Sequence, residues 1–267
     1  MAYDEGLLHS APVPMYRPAL ATPTPCTPAS AGGGDGSPVL ECAHCGVRGR
    51  AVCSALTGDE MAALDQVTQP LKLAAGATLA RAGDARQYVY TVTDGALRLV
   101  RTLPDGRRQI TGFVLPGDYV GLTETLRHRH DIEAIGESRA CRTPLADMRR
   151  LRERYPQLER KLMQRTSMEL AAAQDAGLLL ARLQPSERLA HFLLRLGARG
   201  TLSGHPTDVV MLPMGRGDIA DHLGLTMETV SRTFTKLRQQ GLIALPQLHK
   251  VQILDLPGLQ RLAGDIA

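Results

Sequence analysis

The chain has 267 residues, 43% of them hydrophobic, and 31 Lys and Arg against 27 Asp and Glu, giving a net charge of +4. That length supports two modest domains with buried cores; no apolar run reaches the roughly eighteen residues of a membrane span, and the acidic opening Met1 to Glu5 is unlike a basic secretory leader, so a cytoplasmic protein is expected. Aromatic residues at 3% and the lack of Trp argue against an RNA-stacking platform or an aromatic ligand box, while the mild positive charge is compatible with a polyanion but selects nothing.

Residues 1–40 read as a disordered tail, because Ala11 to Pro38 is rich in Pro, Ala, Thr, Gly and Ser and has few apolar anchors. Cys26 falls inside it and reads as an incidental thiol. Next come Cys42, Cys45 and Cys53 in a C-x2-C-x7-C pattern, with Cys141 far downstream. Short spacers let three sulfurs converge while the fold supplies a fourth, which suits an iron-sulfur cluster or a tetrahedral zinc; spacing does not choose between them. Five cysteines without an export signal argue against a disulfide framework.

Gly58 to Leu73 has helical character. From Gly76 to Cys141 short β-rich runs alternate with turns: Tyr88 to Val92 and Ala96 to Arg101 are split by Asp94-Gly95, then Leu103 to Gly106 turns into Arg107 to Val114, and Pro116-Gly117-Asp118 turns again. Strands this short and evenly spaced predict a small antiparallel roll, so residues 41–145 form the expected sensor domain. Residues 146–184 become helical, with Met163, Thr166, Leu170, Ala173, Gly177 and Leu180 spaced alternately three and four. Such a stripe is a coiled-coil seam, and its small residues Ala173 and Gly177 let two backbones approach, so a parallel homodimer is expected.

Residues 185–267 carry the last signal. From Gly215 to Gly241 two helical stretches meet at Gly224, with Ile219, Leu223 and Leu225 placed to lock the angle, Thr226 to cap the second helix and Gly241 to stop it. On that helix Met227, Val230, Phe234 and Leu237 are expected to form an apolar face. Glu228, Ser231, Arg232 and Thr235 fall on another, with Thr229 beside them. A guanidinium can fork onto guanine, a carboxylate can accept from cytosine, and a hydroxyl serves base or phosphate, so this face is the expected reader of double-stranded DNA. Leu242 to Leu254 reads as a β-hairpin wing. No nucleophile–base–orienter set or phosphate loop is visible, and His191, His205 and His249 stand alone, so no enzyme is expected.

These residues together resemble the CRP/FNR superfamily, and within it the FNR-type oxygen-responsive regulators. The resemblance runs from Cys42 to about Gly264 on the cysteine cluster, Gln109 to Phe113, Pro116 to Gly121, Cys141, Asp218 to Thr226, and above all Glu228-Thr229-Val230-Ser231-Arg232, which looks like the family's Glu-x-x-Ser-Arg motif for a TTGAT half-site. It implies an α+β fold: an N-terminal β-roll sensor domain of the cyclic-nucleotide-binding kind, a long dimerisation helix and a C-terminal winged helix-turn-helix. A 4Fe-4S cluster on Cys42, Cys45, Cys53 and Cys141 is implied, with an inverted-repeat operator and RNA polymerase as partners; the alternatives are zinc on the same cysteines or a thiol-redox regulator without metal. Two departures from the best-known member stand out: seven residues separate the second and third cysteines, and Ala173 occupies a seam position that is acidic there. Thr123 to Ile135 lacks the Arg-Ser/Thr-Ala element of the cAMP-binding branch, so no cyclic nucleotide is expected; Arg127 to His130 read as a solvated loop.

Overall fold

Turn chemistry divides the N-terminal half of the chain into strands, as glycines at 95, 106 and 117 take left-handed φ angles of 74°, 85° and 95°. The computed structural model describes residues 42, 45–122, 125–201 and 206–264; the predicted tail with Cys26 lies outside the described residues, as does His205. Eight strands form the roll: β1 (Gln69–Leu73), β2 (Thr78–Ala80), β3 (Tyr88–Asp94), β4 (Leu97–Thr102), β5 (Arg108–Val114), β6 (Tyr119–Val120), β7 (Asp131–Ala134) and β8 (Ser138–Pro144). They pair antiparallel in two four-stranded sheets, ordered β1-β8-β3-β6 and β2-β7-β4-β5, around Val92, Leu97, Val114, Ile132 and Ala134.

Helical character from Gly58 to Leu73 holds only for α1 (Gly58–Val67), which a Thr57–Glu60 capping box opens. The next residues are strand β1, in which Pro70 lies opposite Cys141 of β8. Proline cannot continue a helix, whereas an edge strand tolerates its missing N–H.

The expected single helix over 146–184 is two: α2 (Leu145–Arg154) and α3 (Pro156–Arg182). Pro156 disfavours helical geometry in the residue before it, and Tyr155 sits at φ −124°, ψ 88°. Its ring packs with Leu151 and Leu158, so the break is built into the core.

The C-terminal part comprises α4 (Pro185–Thr201), β9 (Val209–Met211), α5 (Arg216–Leu223), α6 (Met227–Gln239), β10 (Ile243–Gln247), β11 (Lys250–Ile253) and α7 (Leu256–Ala263). Leu189, Leu193, Ile219, Val230, Phe234 and Leu237 fill its core, and a three-stranded sheet ordered β10-β11-β9 supplies the expected wing. Gly224 closes α5 at φ 63°, ψ 41°, the left-handed stop that sets the turn between the two helices.

This part docks on the roll through α5. Arg98 of β4 bonds Asp218 at 2.8 Å and Glu133 at 2.9 Å, and the His222 ring stands 5.1 Å from Phe113 of β5 and 5.7 Å from Phe192 of α4. Among the described residues no helix is long and apolar enough to cross a membrane.

Candidate cysteine centre and nucleic-acid interface

Apolar anchors hold the cysteine segment against the helices. Val47, Ala51, Val52 and Leu56 are buried, and Val52 and Leu56 join Met61, Leu64, Leu158 and Leu162 in one cluster that Cys42 and Cys53 flank. The 3-10 turn Arg48–Arg50 lies between the second and third cysteines, and a second, Val52–Ala55, carries Cys53 itself. Cys141 comes from β8, where it faces Thr91 of β3.

All four cysteines are half-buried thiols and line a single cleft, together with Val47, Val52, Leu64, Val89, Met148 and Leu158. The cleft encloses about 530 Å³, its open mouth included. Burial pushes the Cys42 thiol well above its ordinary range; Asp65 adds to this by hydrogen bond and charge, and Cys141 and Cys53 add by charge. Burial also raises Cys53, with Cys45 contributing and Arg48 opposing. Thiolates crowded into an apolar cleft repel unless a cation joins them. Among the described residues, no three Cys, His, Asp or Glu side chains are set around one ion. The structure thus brings the four predicted sulfurs to one cleft without closing them on a common point. A sulfur-only donor set of four fits an iron-sulfur cluster or zinc and does not suit magnesium or calcium.

Helix α6, the expected reader of DNA, is assembled from its cap. Thr226 accepts from the Thr229 amide at 3.1 Å, and the two hydroxyls lie 2.9 Å apart. Val230, Phe234 and Leu237 are buried against α4 and α5, which turns Glu228, Ser231, Arg232 and Thr235 to solvent, with Thr229 half-buried at their edge. Arg232 pairs with Glu228 at 2.6 Å, with side-chain exposures of 79% and 71%. Ser231 and Thr235 donate back to the carbonyls of Met227 and Ser231, leaving oxygen lone pairs outward. Met227 corrects the expected apolar face: it is 61% exposed and sits with the polar readers. As the first residue after the cap it precedes the turn that packs on the core.

All six expected seam residues, Met163, Thr166, Leu170, Ala173, Gly177 and Leu180, are exposed along α3. Met163, Leu170 and Leu180 expose 58%, 61% and 40%, an unusual load of apolar surface for one helix face. A methyl group added at Gly224 would lie 3.6 Å from the Leu180 side chain, so the end of the stripe also meets the turn of the reading domain.

Three contributors escaped the sequence reading. Asp65 accepts from the Cys42 amide at 3.3 Å, and the carbonyl of Arg50, midway along the cysteine segment, accepts from Arg165 of α3. Lys236 reaches Ser186 of α4 at 3.4 Å and adds positive charge beside the reading face. Asp65 and Arg50 carry no spacing signal, since tertiary packing alone brings them in. The Ser186–Lys236 pair likewise lies 50 positions apart.

Residues 70–155 match the cyclic nucleotide-binding domain and residues 187–262 the Crp-like helix-turn-helix domain. The chain is 40% identical to the nitrogen fixation regulation protein FixK of Bradyrhizobium diazoefficiens over 224 residues, 84% of this chain and 94% of that one. It is 38% identical to the transcriptional activator protein FnrA of Stutzerimonas stutzeri, over 84% of this chain and 92% of the other. Among solved structures, FixK2 from Bradyrhizobium japonicum superposes with a TM-score of 0.70 at 34% identity, covering 75% of this chain and all of that one.

Proposed function

The chain belongs to the CRP/FNR family of DNA-binding transcription regulators, and from that premise we propose that it senses oxygen through a 4Fe-4S cluster held by Cys42, Cys45, Cys53 and Cys141. The observation that carries this reading is the single cleft in which sulfurs from the 42–53 segment and from β8 meet, beside the base of α3. A lone zinc needs four sulfurs at about 2.3 Å from one centre. A 4Fe-4S cluster draws on the same four sulfurs, and metal and sulfide analysis separates the two. When bound, such a cluster supplies a centre that oxygen oxidises and dismantles.

The chain's own residues then do the rest. Cys141 ties the cysteine segment to β8, and Val52 and Leu56 pass the position of that segment to Leu158 and Leu162 of α3. Met163, Leu170, Ala173 and Gly177 pair with their copies in a parallel dimer. Ala173 places no charge on the two-fold axis, which favours that dimer. Sulfur ligation shifts the monomer–dimer balance only by its differential affinity for the two forms.

In the dimer, two α6 helices enter successive major grooves about one helical turn apart and read an inverted repeat of TTGAT half-sites. Arg232 forks onto guanine, Glu228 accepts from cytosine, and Thr229, Ser231 and Thr235 contact neighbouring bases or phosphates. RNA polymerase is the partner that turns DNA occupancy into transcription.

The test is chemical. Air-free protein should be coloured and should contain iron and acid-labile sulfide, and Cys53→Ser or Cys141→Ser should lose both while keeping the parent circular dichroism. Colourless protein carrying one zinc per chain, unaffected by air, would establish the alternative reading of a zinc-stabilised regulator.

A further inference from the structure

Two separate contacts leave the middle of the cysteine segment. The first runs to α3, where Arg165 donates to the Arg50 carbonyl. The second runs to the turn between β5 and β6: Gly117 is buried against Arg50 so closely that a methyl group there would lie 3.0 Å from the Arg50 Cβ. Side-chain-bearing residues are disfavoured at Gly117 twice over, by that approach and by its φ of 95°.

The turn is fastened at every side. Gly117 donates its amide to Val92 at 2.8 Å, Val92 donates to the Asp118 carbonyl at 3.1 Å, and the Asp118 carboxylate accepts from the Leu115 amide at 2.8 Å. The same carboxylate oxygen pairs with Arg199 at the end of α4. Phe113 and Leu115, just before the turn, pack on the apolar core of the reading domain. A displacement of Arg50 therefore meets a rigid element whose far side grips α4, and α4 is the helix on which α6 rests.

We propose that Arg50, Gly117, Asp118 and Arg199 form a relay, inside one protomer, that couples the cysteine segment to the orientation of the DNA-reading domain separately from the dimer helix. Asp118 and Arg199 are its positioning residues. The inference rests on DNA being gripped by α6, and not on which metal the cysteines hold.

Coupling is reciprocal, so the grip on DNA must be felt at the cysteine segment. The experiment measures backbone hydrogen exchange over residues 48–55 in full-length protein, at a concentration where sedimentation shows a dimer, with and without a saturating duplex that the protein itself has selected from a random pool. Parent protein is expected to slow exchange in this segment at least about fivefold on DNA, the lower end of ordinary coupling between sites. Arg199→Gln should abolish most of that slowing while remaining dimeric and folded, and Arg199→Lys should restore it. Slowing of equal size in Arg199→Gln, or none in the parent, would overturn the relay. A failure of the oxygen-sensing reading would show instead as missing iron and sulfide, and would leave these exchange rates interpretable.

Discussion

Arg232→Ala isolates base reading from folding, because the side chain is 79% exposed and its partner Glu228 is 71% exposed. An ion pair so exposed contributes no more than about 1 kcal/mol to stability, so the variant should unfold within a degree or two of the parent. On DNA the same guanidinium is assigned a fork onto guanine, worth about 1 to 3 kcal/mol of discrimination per base pair. A two-fold dimer uses it twice, for about 2 to 6 kcal/mol, or roughly 30-fold to 10⁴-fold in affinity. Fluorescence anisotropy at fixed salt would compare an inverted repeat of TTGAT with a duplex in which both guanines are replaced by adenine. The parent should favour the first strongly, and Arg232→Ala should keep only the smaller part of that preference that Glu228 supplies through the cytosine paired with each guanine. Undiminished preference in the variant would refute the assignment of Arg232 to guanine.

Three other outcomes are expected. Phe234→Ala empties a site that is 2% exposed and removes the ring under the Arg216 guanidinium, 3.2 Å from its centroid, so urea unfolding should show a loss of about 3 to 5 kcal/mol. Ala173→Glu sets two like charges on the proposed two-fold axis and should weaken dimerisation about tenfold or more by sedimentation, whereas the parent stripped of metal should retain dimer at micromolar concentration. Burial holds the His222 imidazole below its ordinary range, and Arg195 adds to this against the hydrogen bond to Ile110. The unfolded chain therefore takes up that proton first: the contribution is complete above about pH 6.5 and declines as the pH falls below it. Urea midpoints at pH 7.5 and 5.5 should differ in that sense, and less so in His222→Gln.

Local chemistry made part of this molecule readable. Asp94-Gly95, Leu103 to Gly106 and Pro116 to Asp118 announce turns because only certain residues adopt their angles, and Gly224 and Thr226 mark a helix stop and a helix cap that the structure reproduces. Cys42, Cys45 and Cys53 were visible from spacing, whereas Cys141 entered through the family resemblance, and the roll brings it to the same cleft. What stayed hidden depends on partners distant in sequence. Gln69–Leu73 is a strand because β8 pairs with it; Pro70 speaks against a helix there, but nothing within those five residues names the partner strand. Met227 fits a helical apolar stripe but lies one turn before Val230, the first buried residue of α6, so its exposure follows from its place at the helix start and not from its own type. The docking of His222 between Phe113 and Phe192 joins residues up to 109 positions apart, and no short pattern records it.

The most direct measurement combines metal analysis with footprinting on one strictly air-free preparation, before and after exposure to oxygen. About four irons and four sulfides per chain should accompany protection of an inverted repeat, and air should remove both the sulfide and the protection. Protein without iron or sulfide that protects the same repeat equally in either atmosphere would contradict oxygen sensing through Cys42, Cys45, Cys53 and Cys141.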